Sequence, residues 1–233
     1  MTRWQPFGAD HVAALGLITS LTVGLVVAVR RRPAAIWIRG TRVGLAVILL
    51  TLLLGELWLA VRGGWFVLAV LLPLQLCDLA VLLAVAALIS LRRVLLDLLY
   101  FWAFSGTLMA TITPDLARGF PSLDFVVFFG LHGLVLVSVA LLTFGLGLVP
   151  ARGAWWRAFL ITAAYAGAVG VLNLVLKMNF LYLCHKPTGP TLLDYMGPWP
   201  VYVLTGAALA LGLFYVLDLP LRRLRRGEPT KAF

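Results

Sequence analysis

The chain has 233 residues, is 62% hydrophobic and has a mean hydropathy of +1.02, with only 12% of its residues charged. No soluble domain of that size covers such a composition with polar surface, so a water-soluble globular fold is excluded. A net charge of +10 would suggest nucleic acid in a soluble chain. Here the basic groups sit between apolar runs, where they signal orientation in a membrane, and no nucleic-acid partner is expected.

Fourteen of the nineteen basic residues form four clusters: Arg30, Arg31, Arg32, Arg39 and Arg42; Arg92 and Arg93; Arg152 and Arg157; and Arg222, Arg223, Arg225, Arg226 and Lys231. The apolar run before the first cluster is long enough for one crossing, and each later run is long enough for two, at about 20 residues per spanning helix. The expectation is an all-α fold: a polytopic transmembrane bundle of seven helices, one integral membrane domain over 1–233. The positive-inside rule puts the N-terminus outside and the C-terminus in the cytoplasm. Continuously apolar runs, without alternation, exclude a β-barrel.

The first span, near 10–29, lacks a basic leader and a small-residue cleavage site, so it reads as a retained helix and not a signal peptide. The second, near 43–61, carries Glu56 about six residues from its outer end. The third, near 65–91, contains Gln75, Cys77 and Asp78, and Pro73 is placed to break it. The fourth, near 94–113, carries Thr107 and Thr111 at helical spacing. Pro114 and Pro121 then force a turn, with Ser122 an expected N-cap and Asp124 in the first turn of the next helix. That fifth span, near 124–148, holds His132 about eight residues in. The sixth, near 155–177, presents Gly167, Gly170, Asn173 and Lys177 at three- and four-residue spacing, the glycines permitting close helix packing. Residues 179–200 are rich in proline and glycine and read as a cap over the outer end of the bundle. Within them Thr191 and Asp194 resemble a capping box. The seventh span, near 200–219, leads into a basic cytoplasmic tail, 221–233. Six of the eight tryptophans (Trp37, Trp58, Trp65, Trp155, Trp156 and Trp199) fall near span ends, as an interfacial belt requires.

Polar groups inside apolar spans are costly and usually face the bundle interior. Those of this chain gather toward the outer half. The chemistry that suits them is acyl transfer. A thiol in an apolar site is a poor nucleophile until a base takes its proton, and an imidazole within reach serves as that base. Cys77 is the candidate nucleophile and His132 the base. Asp78, Glu56 or Asn173 is available to orient the ring, and Gln75, Lys177 and His185 complete the supporting and substrate-binding candidates. Lys177 also suits snorkelling to headgroups, and His11 reads as structural. Cys77 and Cys184 form no CxxC, zinc or haem motif, so neither a metal nor a cofactor is expected, and their spacing argues for no disulfide. HExxH and GxSxG are absent, which removes two common hydrolase classes. The competing reading is a small-solute transporter or channel that uses Glu56, Asp78 and Lys177 as intramembrane charges.

Three segments carry a resemblance: LPLQLCD (72–78), FPSLDFVVFFGLHG (120–133) and NFLYLCHKPTGPTLLDYMGPWPVY (179–202). They look like the bacterial YwaF-type integral membrane proteins. More distantly, these are similar to androgen-induced fatty-acid-ester hydrolases, which use a Thr and a His, and to an ether-phospholipid acyltransferase, which uses a Cys and a His. The resemblance implies that Cys77 is the nucleophile, His132 the histidine and membrane phospholipids the partners. It also implies a multi-pass protein of the bacterial cytoplasmic (inner) membrane. Gln75 departs from the bacterial pattern, where a His is usual. Neither the acyl acceptor nor the oligomeric state is fixed by these residues.

Overall fold

A computed structural model of the chain describes residues 4–33, 35–62, 72–116, 118–187 and 192–227. The regular elements among them are helices: α1 Ala9–Arg31, α2 Ala35–Arg62, α3 Leu76–Ser90, α4 Arg93–Ile112, α5 Leu123–Gly145, α6 Ala154–Leu176 and α7 Val201–Gly227. Six are long and apolar enough to cross a membrane, and α3 is equally apolar but has 15 residues. The chain is a multi-pass helical membrane protein.

Ten of the fourteen helix boundaries fall within two residues of the expected spans, and others move for physical reasons. α2 begins eight residues earlier than the apolar run, because Arg39 and Arg42 ride on its first turns. Arg42 reaches the last turn of α3, donating from Nε to the Leu88 carbonyl (2.7 Å) and from Nη2 to that of Ile89 (3.1 Å). Arg30 likewise donates to the Phe144 carbonyl at the end of α5 (2.7 Å). A cation at a helix C-terminus satisfies carbonyls that have no partner within the helix and opposes the helix dipole. The third span, expected over 65–91, is helical only from Leu76 among its described residues, with 63–71 outside them. Residues 72–75 are irregular around Pro73, which cannot continue the hydrogen-bond ladder. α7 passes through Pro220 and takes residues 221–227 of the expected tail into helix.

The chain divides into two compact units, one of α1–α5 and one of α6, α7 and the short stretch Leu74–Leu76. In the first unit α5 is the centre and packs against α1, α2 and α4. Of its most apolar stretch, 67% is buried in protein, against 6% for α1. Ser122 caps it as expected, accepting from the Phe125 N–H (3.2 Å). Close approach is allowed by glycine: a Cβ on Gly130 would stand 2.9 Å from Leu52 Cδ1, and one on Gly133 would stand 2.7 Å from Ile18 Cγ1 and Cδ1. The glycines expected to serve packing do not. A Cβ on Gly167 would meet nothing within 4 Å, and one on Gly170 only Leu183 Cδ1 at 3.9 Å. α4 loosens into a π-helical turn at Ala103–Thr107, and α5 ends in another at Leu141–Gly145.

His11 is fully buried among Trp4, Phe7 and Phe129. Its Nε2 donates to the Thr111 carbonyl (3.0 Å), and its Nδ1 accepts from the Phe7 N–H (3.0 Å). One neutral tautomer satisfies both bonds, so His11 ties the N-terminal turn to α4, the structural role expected of it.

In the second unit α6 packs on α7, and the chain after α6 is ordered by side-chain bonds to backbone. Asn173 Nδ2 donates to the Phe180 carbonyl (2.9 Å) and its Oδ1 accepts from the Phe180 N–H (2.8 Å). Asn179 Oδ1 accepts from the N–H groups of Cys184 (3.0 Å) and His185 (3.3 Å). Tyr202 donates to the Tyr182 carbonyl (2.6 Å), and Trp199 to that of Leu183 (3.0 Å). These bonds hold Leu181 and Tyr182 at φ 59° and 52°, left-handed conformations that non-glycine residues rarely adopt. A short helical turn, Leu192–Met196, stands where the capping box was expected; Thr191 lies outside the described residues.

Candidate functional site

The late start of α3 shapes the site. Leu74–Leu76 are anchored within the second unit: the Tyr165 hydroxyl donates to the Leu74 carbonyl (2.8 Å), and Gln75 Oε1 accepts from the Leu181 N–H (3.2 Å). Cys77 and Asp78 follow at once as the second and third residues of α3. The partial positive charge of a helix N-terminus therefore falls where a thiolate would form.

Within the first unit, Glu56 of α2, Cys77, Asp78 and Val81 of α3, Thr107 of α4, and Leu131, His132 and Val135 of α5 line one cavity of about 40 Å³. A space of that size admits a water or a single polar group such as an ester carbonyl, and not a whole acyl chain. The depths agree. Taking about 1.5 Å per residue, Glu56 lies roughly 9 Å from the end of α2 and His132 roughly 14 Å from the start of α5. Cys77, expected about twelve residues into an unbroken helix, instead sits at the head of a short one.

His132 is stacked on Phe128 at 4.1 Å, and its Nδ1 lies 2.9 Å from the Phe128 carbonyl. A carbonyl only accepts, so Nδ1 carries the proton and a neutral ring presents Nε2 as the free base. The orienting group expected from Asp78, Glu56 or Asn173 is thus a backbone carbonyl of the same helix. Cys77 is a free thiol, as is Cys184, and Cys77 shares the cavity with His132 without a direct hydrogen bond between them. Such contacts often tighten only once substrate is bound.

The remaining candidates belong to the second unit and have other partners. Both polar atoms of the Asn173 side chain hold Phe180, and Gln75 holds Leu181. Lys177 is the left-handed C-cap of α6, with φ 54°. His185 Nδ1 lies 3.1 Å from both Asn179 Nδ2 and the Lys186 carbonyl. Thr107 is the polar cavity residue that was not named among the site candidates. The signal for it was present, a hydroxyl in an apolar span at the edge of what proves to be a π-helical turn, a feature frequent at functional sites. Among the described residues, no three His, Cys, Asp or Glu side chains are arranged to hold a metal ion.

No curated protein and no solved structure matches the chain. A family model does, over residues 6–218, a stretch that contains every residue of the cavity and all seven helix starts. The chain belongs to the TMEM164 family.

Proposed function

We propose that the protein is a membrane-embedded enzyme of acyl transfer on lipid esters, with Cys77 as nucleophile and His132 as base. One observation carries the reading: a thiol and an imidazole, with two carboxylates and a hydroxyl, line one cavity within the first unit. In the first step His132 Nε2 takes the thiol proton and the sulfur attacks the ester carbonyl. The ester C–O bond breaks, and the alcohol leaves with the proton returned by His132. In the second step an alcohol, an amine or water attacks the thioester, with His132 again moving the proton. Thr107, which lines the same cavity, donates to the oxyanion that forms in each step. The resemblance to proteins that use a Cys or Thr with a His supports the same reading.

The test uses the purified protein in lipid nanodiscs with a phospholipid labelled in its acyl chain. Wild type should form a covalent acyl adduct that neutral hydroxylamine releases, as it does thioesters. Cys77→Ala should form none, and His132→Ala should form it at least about 10²-fold more slowly. Lipid turnover at wild-type rate in Cys77→Ala would end this reading. Because Glu56 and Asp78 line the cavity, transport would then lead, with solute flux in Glu56→Gln as its measurement.

A further inference from the structure

The second unit holds a cavity of its own, about 360 Å³ in volume. Arg152, Arg222, Arg225 and Arg226 line it, and Asp218 is the one carboxylate among the lining residues, which leaves an excess of three positive charges. Asp218 is buried, its side chain 4% exposed. Its Oδ2 accepts from Arg222 Nε (3.0 Å) and its Oδ1 from Arg225 Nη2 (2.7 Å), so both oxygens are committed to holding guanidinium groups in place. Arg222 is further fixed over the Tyr215 ring at 4.9 Å. α6 begins at the same cavity behind Gly153, and no side chain caps the N–H groups of its first turn.

Like charges held together in a concave site are unfavourable without an anion to answer them. Guanidinium groups match phosphate oxygens two bonds at a time, and a buried carboxylate that pre-orients them lowers the entropy lost on binding. The position narrows the ligand. Leu209, Leu213, Val216 and Leu219, on the turns of α7 just before the arginines, are exposed apolar residues suited to lipid. The cavity therefore stands at the end of an apolar span, at the level of lipid phosphates.

We infer that this cavity is a phosphate-binding site at the membrane boundary, filled by the phosphate of an anionic phospholipid or of a soluble phosphate ester. Arginines that merely snorkel would respond to the total surface charge of the bilayer and not to one ligand. The test measures binding to the full chain in nanodiscs by native mass spectrometry, with thermal stability alongside. The lipid probes are phosphatidic acid and phosphatidylglycerol in a phosphatidylcholine background. Inorganic phosphate and glycerol phosphate are the soluble probes, at constant ionic strength. Arg152→Gln with Arg226→Gln removes two cavity arginines and leaves both Asp218 pairs intact. Arg223→Gln, exposed and outside the cavity lining, is the control.

One saturable phosphate-bearing ligand per chain is expected, weakened at least tenfold in the double variant and unchanged in the control. Competition by inorganic phosphate or glycerol phosphate would identify a soluble ester; binding of phosphatidic acid without it would identify a lipid. Should the double variant fold poorly, Arg152→Lys with Arg226→Lys keeps the charge and loses the fork, and should still weaken binding. The inference is overturned if binding follows bilayer charge alone, if Arg223→Gln weakens it equally, or if no probe binds.

Discussion

The imidazole of His132 gives one nitrogen to its own helix and keeps the other for the cavity. The ring is oriented by a backbone carbonyl of its own helix, and Thr107 becomes the informative residue. Its hydroxyl is the one hydroxyl among the side chains that line the cavity. Thr107→Val keeps the shape and removes the donor. It should lower the rate of acyl-adduct formation by about 10²-fold, as loss of an oxyanion donor does, while labelled-lipid binding changes little. An unchanged rate would show that the oxyanion is stabilised elsewhere. Glu56, Cys77, Asp78 and His132 were legible in the sequence because an isolated polar group in an apolar span has few other reasons to be there. Asn173, Gln75 and His185 looked the same by that criterion. They are tied to backbone in loops, and sequence does not distinguish a polar group that satisfies a peptide from one that faces a cavity.

At the scale of elements, the packing of α5 on α1 and α2 rests on the missing side chains of Gly130 and Gly133. Gly133→Val would drive two methyl groups against Ile18, and should cost about 1–3 kcal/mol of stability through overpacking. Gly167→Ala meets open space in α6 and should be neutral or stabilising by up to about 1 kcal/mol, the gain from replacing glycine inside a helix. Thermal unfolding in one detergent compares the two directly, and equal effects would refute the packing. The sequence pointed to the wrong pair. Gly167 and Gly170 recur with Asn173 and Lys177 in a tidy stripe, whereas Gly130 and Gly133 lie in a run of phenylalanines and leucines with no periodic mark. Helix existence was legible throughout because hydropathy reports it. The start of α3 was legible only as a proline, since what fixes it, Tyr165 and Leu181, is about 90 to 106 residues away in the chain.

For the whole molecule, the alternation of basic clusters predicts an N-terminus outside and a C-terminus in the cytoplasm. Reporter fusions at Thr2 and Lys231 should then lie on opposite sides of the membrane. Reporters on the same side would mean an even number of crossings and overturn that orientation. Two of those arginines also close helix ends, so the charges that orient the chain take part in its packing as well. The shortness of α3 bears on the host bilayer itself. Its 15 residues cover about 22 Å, less than the roughly 30 Å of a hydrocarbon core, so the expected mooring of Arg92 and Arg93 at one interface would leave its first turn short of the other. A bilayer of short-chain lipids brings its ester plane down toward Cys77, and one of long-chain lipids lifts that plane away. In the proposed reaction, lipid chain length, with no residue altered, would set how far a substrate carbonyl must descend to meet the sulfur.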